Sequence, residues 1–171
     1  ISYDDEQPPH PTEFGEALAA RLKDVPLKVI LEPGRVIAGN AGIMVTEVVY
    51  TKSNPTKNFL IVDGAMNDLI RPSLYGSYHR IAEVEQNGRD AKEYDVVGPI
   101  CESGDFLARD RELPAVEQGE RIALFSAGAY GFTMASNYNT RPRACELIVD
   151  GDTVSVARKR ETYEDLIANE L

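Results

Sequence analysis

Leu27-Lys28-Val29-Ile30-Leu31-Glu32-Pro33-Gly34-Arg35 is a short apolar run that stops at a Pro-Gly turn flanked by opposite charges. A run this short, ended by turn residues, reads as a buried strand over residues 27–31. Upstream, Phe14, Leu18, Ala19 and Leu22 recur at helical spacing within residues 12–23. Thr12 is a suitable N-cap, and Glu13 and Glu16 suit the positive end of the helix dipole. One helix followed by one apolar strand is part of a βαβ-type unit, as found in a parallel sheet or barrel. Residues 1–10 are a polar loop containing Pro8-Pro9.

After Gly42 the texture changes. Residues 43–51 and 58–62 are β-rich and are separated by the turn cluster Ser53-Asn54-Pro55-Thr56, which predicts a hairpin. Further strands are expected at residues 80–85, 93–97, 121–126, 144–149 and 153–157, the last two joined through Asp150-Gly151-Asp152. Thr162-Tyr163-Glu164-Asp165 has capping-box spacing and opens a short terminal helix. The expected fold is the tail of an α/β barrel followed by a mostly antiparallel β domain, a sandwich or barrel-like, with the boundary near residue 40.

Net charge is -10, from 28 acidic and 18 basic residues, which argues against nucleic acid and anionic membrane as partners. Cys101 and Cys145 make neither a disulfide framework nor a zinc set, and His10 and His79 are too few for a histidine-rich metal site. No signal peptide or membrane-spanning run is visible, so the cytoplasm is the expected compartment. The chain begins at Ile1 rather than Met, and an upstream segment is expected.

Residues 32–35 stand where a barrel strand would reach its catalytic rim. Gly34 lets backbone amides approach an anion, and the Arg35 fork matches phosphate or carboxylate oxygens. Glu32 repels phosphate and makes sense beside a cationic part of the same ligand, such as a pyridinium nitrogen; the bland reading is a Pro-Gly turn with a surface ion pair. In Cys101-Glu102-Ser103-Gly104-Asp105, two carboxylates disfavour a thiolate, which suits a proton donor better than a nucleophile. An inert loop cysteine is the alternative. Arg71 and Tyr75 are four apart, and if Pro72 opens a helical turn they share one face, as a carboxylate receptor or an ordinary surface stack. Gly128-Ala129-Tyr130-Gly131 presents one aromatic on a flexible turn, either to a ligand or over the core.

The order of these motifs, closed by Asn137-Tyr138-Asn139-Thr140-Arg141-Pro142, resembles the diaminopimelate decarboxylases of the pyridoxal-phosphate-dependent ornithine/diaminopimelate/arginine decarboxylase family. The resemblance covers nearly the whole chain, without departure inside the motifs. It implies that residues 1–40 end a barrel carrying pyridoxal 5'-phosphate and that residues 41–171 are a C-terminal β domain, in a homodimer with shared active sites. By the same resemblance Glu32 pairs with the pyridine nitrogen, while Pro33, Gly34 and Arg35 serve the phosphate and Arg35 also the substrate. Arg71, Tyr75 and Glu102 bind substrate, Cys101 donates the proton, and Tyr130 touches cofactor and substrate. The family's Schiff-base lysine lies upstream of the matched region; Lys23, Lys28, Lys52, Lys57, Lys92 and Lys159 do not match it. The chain therefore reads as a fragment, inactive alone. A decarboxylase of another basic amino acid or a carboxylated polyamine, and a non-catalytic regulatory relative, are the competing readings.

Overall fold

The computed structural model describes every residue except Asp5, Asn87 and Leu171. Helix α1 spans Pro11–Leu22 and is capped by His10 rather than Thr12. The Thr12 amide donates to His10 Nδ1 and the His10 amide to Glu13 Oε1, both at 3.3 Å. Pro11 causes the shift: its preset φ and missing N–H make it a natural first helical residue, which hands the cap to its predecessor. No α1 residue is buried, and Leu18 and Leu22 line a shallow groove with Val29 and Leu31.

Residues 27–31 form no strand, and Leu27 and Ile30 are 75% and 73% exposed. An apolar run becomes a strand only beside a neighbour with unpaired N–H and C=O groups. None of the described residues pairs with this run. The expected buried strand is therefore an exposed apolar segment.

The β-rich part contains β1 (Met44–Ser53), β2 (Asn58–Val62), β3 (Ile81–Glu83), β4 (Ala91–Val97), β5 (Phe106–Pro114) and β6 (Arg121–Leu124), with the one-turn helix α2 (Arg71–Tyr75) between β2 and β3. They form one sheet in the order β3-β6-β1-β2-β4-β5. The hairpin signal is met: Ser53 pairs Asn58 across residues 54–57. β2 and β4 run parallel, with Leu60 opposite Val96, and the other neighbours are antiparallel. The two ends of the order approach each other, for Arg111 of β5 donates to the His79 carbonyl just ahead of β3 at 2.6 Å. The result is a mixed, nearly closed, barrel-like sheet.

Its core follows from strand alternation. Leu60 and Val62 are fully buried while Phe59 and Ile61, which alternate with them, are not. They pack with Val48, Val96, Leu107, Ile122, Leu124 and Leu69 into one cluster. β5 is absent from the expected strands because Arg109-Asp110-Arg111-Glu112 interrupts its apolar pattern. The structure buries Leu107, Ala108 and Leu113 and exposes Arg109, Asp110 and Glu112, with Arg111 half-buried. Lys57 then bridges Asp95 at 2.7 Å and Asp110 at 2.9 Å.

β7 (Glu146–Asp150) and β8 (Thr153–Arg158) make a separate hairpin closed at Gly151-Asp152, with Leu147, Val149, Val154 and Val156 exposed. Helix α3 (Tyr163–Ile167) carries the expected capping box between Thr162 and Asp165. No helix among the described residues is long and apolar enough to cross a membrane. The hairpin base is clamped by Glu161, which accepts from the Arg143 amide and guanidinium and from Asn137 Nδ2. These bonds, the Arg143 guanidinium first, hold the Glu161 carboxyl down to about 2. A depressed carboxyl stabilises the fold above its ordinary value of 4.5 and loses that contribution as pH falls towards about 2. Glu161→Gln should cost about 1 kcal/mol near neutrality, because the pair is partly solvent-screened. Urea titrations should show the wild-type advantage vanishing near the lower limit.

Candidate active site

Two guanidiniums meet over one aromatic ring. The Arg35 and Arg71 guanidinium carbons each lie 5.3 Å from the Tyr3 ring centroid, and Arg35 Nη1 also donates to Tyr3 Oη. Arg71 is the first residue of α2 and is only 7% exposed. Neither arginine has a carboxylate within ion-pair distance among the described residues. Burying a cation is costly unless it is paired, so this acidic chain keeps an uncompensated positive site.

The partner Arg71 does have is His79, fully buried, whose Nε2 lies 3.3 Å from Arg71 Nη1. His79 Nδ1 is 2.8 Å from the Phe125 carbonyl, which only accepts; Nδ1 therefore carries the proton and Nε2 the lone pair. Burial pushes His79 below the ordinary imidazole range; the Phe125 carbonyl opposes this, and Arg71 and Arg111 add to it.

The helical turn expected at Pro72 is α2, in which positions 71 and 75 are one turn apart. Arg71 is nearly buried against Tyr3 and His79, whereas Tyr75 is 63% exposed.

The loop 101–105 packs on the flank of α2: a Cβ on Gly104 would come within 2.9 Å of Ser73 Oγ. Cys101 and Glu102 are exposed there. Glu102 accepts from the Gly104 amide at 3.2 Å and from Tyr138 Oη at 3.4 Å. Asp105 is buried and sets the loop, accepting from the Met66 and Ile100 amides at 2.7 Å each.

The turn bearing Tyr130 is keyed to the chain just after Arg35. A Cβ on Gly128 would lie 2.0 Å from the Ala38 carbonyl oxygen, and the Ala127 amide donates to the Gly42 carbonyl at 2.8 Å. Only glycine permits that crossing. Tyr130 stands half exposed at φ 59°.

The structure thus joins Arg35 to Arg71, sets the Tyr130 turn beside the segment following Arg35, and sets the Cys101–Glu102 loop beside α2. Glu32, Pro33 and Gly34 remain exposed. Among the described residues no hydrogen bond or ion pair links Glu32, Tyr75 or Cys101 to the arginine pair. Tyr3, His79 and Asp105 are missed as site components by the sequence reading. A lone tyrosine in a loop carries no signal, and Asp105 reads as a mere negative neighbour of the thiol. A cavity of about 210 Å³, lined by Asp63, Asp68, Arg141, Cys145 and Arg160, abuts the Tyr130 turn through Ala127 and Gly131 but is not lined by the expected catalytic, cofactor or substrate residues.

Residues 3–128 match the model of the pyridoxal-dependent decarboxylase C-terminal sheet domain. The chain belongs to that family. It is 51% identical to the diaminopimelate decarboxylase of Haemophilus influenzae over 99% of this chain and 41% of the relative, and 51% identical to that of Aquifex aeolicus over 95% and 39%. It superposes on the crystal structure of diaminopimelate decarboxylase from Helicobacter pylori complexed with L-lysine with a TM-score of 0.89 and 42% identity, covering 98% of this chain and 41% of that one. The chain spans about two-fifths of the length of the relatives it matches.

Proposed function

We propose that this chain is the C-terminal part of a cytoplasmic, homodimeric, pyridoxal-phosphate-dependent decarboxylase that converts meso-2,6-diaminopimelate to L-lysine and carbon dioxide. Residues 1–40 end its barrel and residues 41–171 are its β domain. The observation that carries the reading is Arg71: a nearly buried guanidinium with no carboxylate in ion-pair reach among the described residues, waiting for one from the substrate.

The residues present fit the cofactor in part. Arg35, which ion-pairs with no acid among the described residues, suits a phosphate, and Gly34 has open space around it. Glu32 would hold a proton on the pyridine nitrogen, Pro33 shapes the turn, and Tyr130 supplies a half-exposed ring. The chemistry pyridoxal phosphate supplies when bound is to disperse the electron pair left as carbon dioxide departs.

The rest falls to side chains of this domain. Arg71 takes the distal carboxylate of the substrate and Glu102 its distal ammonium, with Tyr75 beside them and Arg35 serving substrate as well as phosphate. Cys101 delivers the proton from Sγ to the carbon that has lost carbon dioxide. Exposure of Cys101 and Glu102 on one loop fits residues that face a second surface.

Assaying full-length protein for carbon dioxide release from diaminopimelate, ornithine and arginine tests this reading. Release from diaminopimelate alone is expected, since a substrate ending in an amine or guanidinium needs acids and no arginine at its far end. Release from ornithine or arginine instead would replace the substrate. No release from any would favour a regulatory protein.

A further inference from the structure

We propose that His79 is a positioning residue for the substrate-binding Arg71: its Nε2 lone pair orients the Arg71 guanidinium. This inference rests on the reading of Arg71 as the distal-carboxylate receptor. The imidazole is fixed at both ends, by Nδ1–H on the Phe125 carbonyl at 2.8 Å and by Nε2 facing Arg71 Nη1 at 3.3 Å. The Tyr3 ring closes a third side, edge-on at 5.7 Å and 89°. Arg111 holds the His79 backbone carbonyl at 2.6 Å, so the residue cannot slide along the chain direction.

Only the neutral Nδ1–H form works here. A protonated ring would point an N–H at a guanidinium N–H, cation against cation. Among the described residues the charged and titratable groups facing the ring are Arg71, Arg111 and Tyr3, and none of them carries a carboxylate. Burial and the two arginines favour the neutral form accordingly. A neutral acceptor orients the guanidinium without cancelling its charge, whereas a carboxylate in the same place would compete with the substrate. That is why an arginine reserved for an incoming anion is held by imidazole and aromatic ring rather than by aspartate or glutamate.

Two substitutions separate the ends of the ring. In His79→Gln the amide oxygen takes the place of Nε2 and keeps the acceptor for Arg71. In His79→Asn the amide nitrogen takes the place of Nδ1, keeps the bond to Phe125 and leaves Arg71 without its acceptor. In the full-length holoenzyme, His79→Asn should raise KM for diaminopimelate and the calorimetric Kd for L-lysine about tenfold, from one lost charge-assisted bond. His79→Gln should stay within about twofold of wild type, at a similar Tm for both variants. Equal losses in both variants, or none in either, would overturn the proposal. Arg71→Ala serves as the reference: if it too leaves KM and Kd unchanged, the reading of Arg71 fails and this inference falls with it. If Arg71→Ala weakens both while His79→Asn does not, the inference alone fails. Should either His79 variant not fold, nitrogen-15 spectra of the wild-type histidines still decide, since a neutral Nδ1–H tautomer is required and an Nε2–H tautomer would refute it.

Discussion

Two inactive variants of the full-length protein, one without its cofactor-anchoring lysine and one carrying Cys101→Ala, are expected to regain roughly a quarter of wild-type activity when mixed and reassociated. The argument begins with Cys101 and Glu102, both exposed on a loop that packs against α2. Neither is tied to Arg35 or Arg71 by a hydrogen bond among the described residues. A β domain that follows a barrel need not fold back over its own rim, and in a symmetric dimer each can cover its neighbour's. Shared sites give each mixed dimer one site with both defects and one with neither. Random reassortment makes about half the dimers mixed, hence the quarter. If lysine and cysteine served the same site from one chain, every site would keep a defect. Activity stuck at the level of the separate variants, with mixed dimers verified by mass, rules the shared arrangement out.

Arg71→Ala should weaken diaminopimelate binding by about 10- to 100-fold, the equivalent of the roughly 1.5–3 kcal/mol that a charged hydrogen bond contributes. Cofactor affinity should change little, because Arg71 is directed at substrate in this reading. Truncation removes a buried cation with no carboxylate among the described residues but also leaves the buried His79 Nε2 without its donor, so the two effects should offset and Tm should change little. Steady-state KM, cofactor titration and a thermal melt check the three parts separately. Unchanged substrate affinity in a folded variant would remove Arg71 from the substrate site.

The contrast between Arg71 and Tyr3 shows what the sequence could disclose. Arg71 stands in a motif, so its position along the chain announces it. Tyr3 is isolated, and its value lies in contacts with Arg35 and Arg71, residues that only folding brings near. His79 is one of two histidines, and its role depends on the direction of a carbonyl from Phe125. The strands show the same division. β1–β2 and β7–β8 are legible because their turns carry local chemistry at residues 53–56 and 150–152. β5 is not, since the charged run 109–112 breaks the apolar alternation that would announce a strand, and pairing with β4 holds it. Residues 27–31 fail for the opposite reason: the local pattern is that of a strand, and the pairing partner is not among the described residues.

The parallel pairing of β2 with β4 has a further consequence for how the site arises. Parallel neighbours cannot be joined by a tight turn and need a crossover of a dozen residues or more. Here the crossover carries α2 and His79. The residues proposed to bind substrate thus occupy a connection that the topology makes compulsory. Since loop closure must precede such distant pairing, the β2–β4 register should form late in folding. Substitutions at Leu60 and Val96, which face each other across that pairing, should accordingly alter unfolding rates more than refolding rates.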